Sequence, residues 1–236
     1  YRVSEDKVRI IAKDGYMIKV DRTFPAPKSL ETEAKKKNGS YTEKDVVDQL
    51  LRDFHKKCYI CEINDLQDPQ VEHLLPHKNG KYPERKFDWN NLFLSCGHCN
   101  SVKNQKKYDE GIIDCCKVDP EKLLTFRINE NAVEIEKKEE KEDKTLDRTI
   151  ELLQEVYGID NTGMREYKSD MRFKGVLRQM NLLYDNLEQL KENPDSKMVQ
   201  RKLKVLLRRE SAFAAFKRCY IEEHKDIYPG LQKYLE

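Results

Sequence analysis

The sequence predicts an α+β chain, and three observations carry that expectation. Short alternating apolar runs separated by turn signals lie near both ends of the first two thirds. The last third reads as helical stripes. Between them, two Cys-x-x-Cys pairs, Cys58/Cys61 and Cys96/Cys99, bracket a compact central window. The chain divides into residues 1–41, 42–110 and 111–236.

The first segment opens with a predicted small N-terminal hairpin over residues 1–24. Val8 and Ile10 precede Lys13-Asp14-Gly15, and Met17, Ile18 and Val20 follow it; Asp-Gly is a strong hairpin turn. Pro25-Ala-Pro27 closes it, and the Lys-rich residues 28–40 read as an exposed stretch. A helix capped by Thr42 follows, with Val46, Val47, Leu50, Leu51 and Phe54 at helical spacing, and delivers the chain to Cys58. Beyond the central window, Leu124, Phe126 and Ile128 alternate, Asn129-Glu130-Asn131 turns, and Val133 and Ile135 alternate again. The charged run 136–144 together with Leu146, Ile150, Leu153 and Val156 predicts a helix that starts solvated and ends at Gly158. Tyr167, Met171, Met180, Leu183, Leu187 and Leu190 form one helical stripe, stopped by Asn193-Pro194. Leu203, Leu206, Leu207, Phe213, Phe216 and Tyr220 form another.

Composition bounds the function. The chain has 236 residues, 38% apolar and 37% charged, enough for a core under a heavily charged surface. A net charge of +2 excludes a polyelectrolyte, so nucleic-acid contact would come from local basic patches. Residues 165–218 are such a patch, with 14 Lys/Arg against 7 Asp/Glu; the alternative is that these charges are merely solvated. No apolar run is long enough to span a bilayer and no export signal precedes the first hairpin, so no membrane contact is expected. The chain opens on Tyr1, which leaves room for residues upstream. Seven cysteines, four of them in Cys-x-x-Cys pairs, point to metal binding in a reducing, cytoplasmic setting.

Thiolates at i and i+3 share one tetrahedral ion because a tight turn aims both sulfurs inward; two such turns close a four-thiolate shell. Cys58, Cys61, Cys96 and Cys99 are therefore expected to hold one structural zinc. An unmetallated buried set or a redox pair is the alternative, but no βαβ unit accompanies these cysteines. His98, inside the second knuckle, is read as pointing outward, with ligation in place of a cysteine as the other reading. Cys115, Cys116 and Cys219 read as ordinary buried or half-buried thiols.

Within the same window lie Glu72-His73, Asn91-Leu92 and Asn100-x-x-Lys103, and this set resembles the HNH endonuclease superfamily. The resemblance implies a ββα-metal core around one catalytic divalent ion. Glu72 stands where the family usually has Asp, and Asn100 takes the last position, each keeping an oxygen donor. Phosphodiester hydrolysis needs an activated water, charge neutralisation and leaving-group stabilisation. His73 is the expected general base, since neutral imidazole accepts a proton near pH 7. Glu72 and Asn100 would ligate Mg2+ or Mn2+, which prefer oxygen. Asn91, by the resemblance, braces the hairpin loop and orients the His backbone. Lys103, one helical turn after Asn100, would meet the phosphate as a point charge. Each residue also has an ordinary reading: a satisfied histidine, a turn asparagine, a solvated lysine. His77, directly after Pro76, is read as a loop histidine, with substrate or metal contact as the alternative.

The flanks narrow the resemblance. Cys58-Tyr-Ile-Cys61-Glu62, Glu72-His73-x-x-Pro76, Tyr82-Pro83, Asp88-Trp89-Asn-Asn91-Leu92, Ile113-Asp114, Asp119-Pro120, Leu124-Thr-Phe126 and Ser211-Ala-Phe213 are similar to the PtuB family. These are the HNH subunits of Septu-type and retron-associated anti-phage defence systems. The resemblance implies an effector nuclease, DNA preferred over RNA, restrained by an ABC/SMC-type ATPase (PtuA-like). Where a retron belongs to the system, its reverse transcriptase and RNA–DNA product would be partners as well. The chain carries no phosphate-binding Gly-x-x-x-x-Gly-Lys-Ser/Thr of its own. Two alternatives stay open: an RNA-cleaving effector acting, for example, on tRNA, and a catalytically degenerate zinc-clamped module that binds nucleic acid or a partner.

Overall fold

The computed structural model describes residues 18–64, 66–129, 132–158 and 163–236. It is a mixed α+β structure with two small antiparallel sheets among helices. Most of the expected N-terminal hairpin, residues 1–17, lies outside the described residues. Residues 18–24 form no strand; Val20 instead donates its amide to the Cys115 carbonyl at 2.9 Å. The stretch expected to be exposed after Pro27 begins with a helix, α1 (Lys28–Ala34), which buries Leu30 and Glu33. A seven-residue helix with one apolar contact shows no stripe, and so the composition hid it.

Helix α2 (Lys44–Asp53) packs Val46 and Leu50 inward. Its N-cap is Glu43 with no side-chain cap, not Thr42, whose hydroxyl lies 3.0 Å from the Ser40 hydroxyl. The Asp53 carboxylate accepts from the Thr23 amide and hydroxyl at 3.0 and 2.7 Å, and this ties the N-terminal segment across α2.

Strands β1 (Pro69–His73) and β2 (Leu92–Cys96) pair antiparallel, with Glu72 opposite Phe93 and His73 opposite Leu92. β2 is buried throughout and leads directly into α4 (Gly97–Lys103), which packs on both strands. The loop between the strands carries the short helix α3 (Pro83–Lys86) and a 3-10 turn, Trp89–Asn91. Two strands and a helix in that order make a ββα unit that brings residues 72, 73, 100 and 103 to one cavity, with residue 91 in the loop between the strands.

The second hairpin forms as its alternation predicts: β3 (Leu124–Asn129) and β4 (Ala132–Lys137), with Leu124 and Phe126 buried. Helix α5 (Lys144–Tyr157) starts later than the charged run suggested. β4 takes residues up to Lys137, and Asp143 caps the helix by accepting from the amides of Thr145 and Leu146. Helix α6 (Met164–Glu192) is the longest element, and Tyr167 and Met171 of its expected core stripe are exposed. The second expected stripe breaks into α7 (Lys197–Leu206) and α8 (Ala214–Glu223), separated at Phe213, whose φ of 48° is left-handed. A hydrophobic core of buried residues runs from Val20 to Leu235, across the expected boundaries at 41/42 and 110/111. Among the described residues, no helix is long and apolar enough to cross a membrane.

Candidate metal centre and active site

The four window cysteines come together. Their sulfurs are buried and all lie within 4.8 Å of one another. The first knuckle is a turn closed by Glu62 N–H donating to Cys58 O (2.9 Å) and anchored by Tyr59 N–H on Leu94 O of β2 (2.9 Å). In the second, Cys96 is the N-cap of α4, and its sulfur accepts the Cys99 amide at 3.4 Å. Cys61 Sγ and Cys96 Sγ are 3.9 Å apart. A tetrahedral zinc with bonds of about 2.3 Å puts its sulfurs roughly 3.8 Å apart, so the donor set fits such an ion. Hydrogen bonds from Cys58, Cys61 and Cys99 hold the Cys96 thiol well below its ordinary range, while burial pushes Cys58 and Cys99 up. Arg172 of α6 reaches the same sulfur: its Nη2 donates to Cys96 Sγ at 2.9 Å. His98 is turned inward, contrary to expectation; its Nε2 lies 3.1 Å from the Val156 carbonyl of α5, outside the sulfur cluster. Cys116 and Cys219 sit elsewhere, near Arg22 and the Phe126 amide.

A cavity of about 630 Å³ opens beside this clamp, with Tyr41, Glu72, His73, His77, Asn100 and Lys103 in its wall. His73, at the end of β1, sets Nε2 3.0 Å from the Lys86 carbonyl. A carbonyl can only accept, so Nε2 carries the proton and the lone pair of the neutral ring is on Nδ1. Burial lowers the His73 pKa to about 4, so the ring is neutral at pH 7. Tyr41 and His77 stand edge-on to it, at 4.5 and 4.8 Å between ring centroids.

Asn91 is buried and satisfied by the loop it closes. Its Oδ1 accepts the Leu75 amide at 2.8 Å, and its Nδ2 donates to Leu75 O and Arg85 O at 2.9 and 3.0 Å. It thereby joins the start of the β1–β2 loop to the segment that presents the Lys86 carbonyl to His73.

Glu72 and Lys103 meet differently from expectation. Lys103 does not face the cavity as a free point charge: it is 6% exposed and donates to Glu72 Oε1 (2.6 Å), His73 O (3.0 Å) and Leu74 O (3.0 Å). The physical reason is the register. α4 ends over the C-terminal end of β1, where strand carbonyls without cross-strand partners need a donor. The other carboxylate oxygen, Glu72 Oε2, accepts from the Tyr59 hydroxyl at 2.5 Å. Burial raises the Glu72 pKa, opposed by Lys103. A carboxylate has about four lone-pair sites, and these two bonds leave sites on both oxygens. With the Asn100 amide on the same wall, the donor set suits a hard, oxygen-loving cation.

Sequence reasoning passed over Tyr59, Tyr41 and Arg172. Tyr59 lies inside the first Cys-x-x-Cys turn, one strand away from Glu72, and that position was the available signal. Nothing in the sequence links Arg172 to a cysteine 76 positions earlier. No family model, curated protein or solved structure matches this chain.

Proposed function

We propose that this chain is a metal-dependent HNH endonuclease that hydrolyses phosphodiester bonds, preferring DNA, and acts as the effector subunit of an anti-phage defence complex with an ABC/SMC-type ATPase. The observation that carries the hydrolytic part is the His73 ring: its Nε2 is held on the Lys86 carbonyl within a cavity that also contains Glu72 and Asn100. The defence assignment rests on the resemblance of the central window and its flanks.

Held in this way, Nδ1 of His73 takes the proton from an attacking water. Asn91 keeps the Lys86 segment in place, so it is a positioning residue for His73. Glu72 and Asn100 are the residues that would hold Mg2+ or Mn2+; such an ion supplies charge neutralisation at the scissile phosphate. Lys103 fixes the Glu72 carboxylate and the end of β1. The four thiolates would hold zinc with no open position, so that ion orders the ββα unit and takes no part in cleavage.

One observation favours a second reading. Lys103 already neutralises Glu72, which is what a module that binds without cutting would show. Plasmid DNA and RNA incubated with Mg2+ or Mn2+, alone and with the ATPase, decide between them. Cleavage is expected, with His73→Ala lowering the rate by roughly 10²–10⁴-fold. Cleavage that survives His73→Ala removes the general-base assignment, and no cleavage under any condition leaves the binding module.

A further inference from the structure

Apart from the cavity, and sharing no lining residue with it, α6 and α7 form a helical hairpin with a groove of about 590 Å³ between them. Its apolar wall is Leu182, Met198 and Val205, which are 46%, 62% and 57% exposed. Side chains of this size at such exposure are costly to leave in water when they are contiguous. The rim is cationic: Arg201 and Lys202 line the groove, and among the described residues no acidic one does. Helix α7 holds Lys197, Arg201, Lys202 and Lys204 with no Asp or Glu in its ten residues. Among the described residues, the side chains of Arg201, Lys202 and Lys204 have no hydrogen-bond or ion-pair partner, whereas Lys174 and Lys191 on α6 are both paired. At the floor, Asn186 is only 7% exposed, and its Oδ1 is buried with no donor among the described residues, although its Nδ2 is satisfied by Leu182 O at 2.7 Å. An acceptor left bare at that depth costs free energy until something donates to it.

We infer that the α6–α7 groove is a docking site for an amphipathic helix of a partner protein, one with apolar anchors along one face and Asp/Glu along its edges. The groove has room for roughly three or four aliphatic anchors at i, i+3, i+4 and i+7, the spacing by which helices enter grooves. The cationic rim selects acidic edges and orients the incoming helix. A side-chain N–H or O–H among the anchors would satisfy Asn186 Oδ1. Nucleic acid is the competing ligand for a basic helix. The groove opposes it: its wall is aliphatic, and among the described residues no aromatic side chain lines it to stack on a base. The inference does not rest on the nuclease reading, since no groove residue lines the His73 cavity.

The test is a display library of helical peptides with Leu, Ile, Met or Phe at those four positions, and Glu, Gln or Lys at the edges, selected against the full chain. Winners should carry Glu edges, should slow amide exchange in residues 182–206, and should lose at least tenfold in affinity on Val205→Glu or Met198→Glu. Arg201→Glu with Lys202→Glu should invert the edge preference to Lys. Both apolar positions are exposed, so these variants keep their fold, which circular dichroism checks. The inference is overturned if no peptide is enriched, if enrichment ignores edge charge, if Val205→Glu leaves binding intact, or if duplex DNA displaces the peptides. It is also overturned if sedimentation shows a dimer of this chain that Val205→Glu dissolves, because the groove would then belong to a second copy.

Discussion

Glu72 and Lys103 are the residues whose chemistry the structure changes most. Their pair is buried, at 2.6 Å, and Lys103 also serves two carbonyls. Removing one partner of such a pair strands the other charge and costs about 3–5 kcal/mol. Lys103→Met is therefore expected to lower the denaturant midpoint sharply, and Lys103→Met with Glu72→Gln should recover part of the loss. If the double variant is as unstable as the single one, the pair is not what holds these side chains. His73 makes a pH prediction. Its folded pKa of about 4 lies below the unfolded value of about 6.5. The unfolded chain then takes the proton first, so this residue's contribution to stability is lost as pH falls from about 6.5 toward 4. If His73 is the general base proposed above, cleavage needs its neutral ring and should hold level down to about pH 6 and fall only toward 4. A pH–rate profile with its acid limb at the ordinary histidine value would contradict this. That Glu72, His73 and Asn100 share one cavity wall, with Asn91 bracing the loop beside them, was legible from the order and interval by which they resemble the HNH pattern. The direction of Lys103 was not, because helical spacing cannot show that the last turn of α4 covers two bare carbonyls of another element.

Among the elements, the β1–β2 loop and the α7–α8 break matter most. The loop is long for a hairpin connection, and Asn91 supplies three of the bonds that close it. Asn91→Ala leaves Leu75 N–H and two carbonyls without their partner. We expect a cost of about 1–3 kcal/mol, with faster exchange of the Leu75 amide and a fall in cleavage rate without change in substrate affinity. A variant with normal rate and fast exchange would show that the loop does not position His73. The β3–β4 hairpin was readable because Leu124, Phe126, Val133 and Ile135 alternate around a turn signal. The α7–α8 break was not, because Leu203, Leu206, Leu207, Phe213 and Phe216 keep a helical period through it. What ends the period is distant. The Glu62 carboxylate accepts from the first amides of α8, Ala214 at 2.8 Å and Ala215 at 3.4 Å, and Phe213 turns left-handed to present them.

Over the whole molecule, the thiol clamp is where the helices converge. Tyr157 of α5 donates its hydroxyl to Cys61 O at 2.8 Å, Arg172 of α6 reaches Cys96, and Glu62 after the first knuckle caps α8. Zinc should therefore bind at one ion per chain, and its removal by a chelator should unfold the described core in a single transition. A structural zinc contributes on the order of 10 kcal/mol in small domains, so the apo chain should lose near-UV signal and helicity together. Melting of the ββα unit alone, with α6–α8 intact, would contradict this coupling. Cys96→Ser should reduce bound zinc as well as stability. The clamp itself was plain in the sequence, but its reach into α5, α6 and α8 was not, because those contacts bring together residues far apart in the chain.

The Glu62 cap also fixes when the molecule can be completed. Glu62 and Ala214 are 152 positions apart, so the nascent chain exposes the carboxylate long before its helix is synthesised. In the completed fold Glu62 also has Lys57 as its buried ion-pair partner, at 3.4 Å, and Lys57 itself donates to the carbonyls of Arg209 and Ser211, which emerge late as well. Contacts of this span close slowly, because the intervening loop must be ordered first. A chain that ends before residue 214 would thus have a charged, half-built interior, and would be a substrate for proteases and not a smaller folded protein.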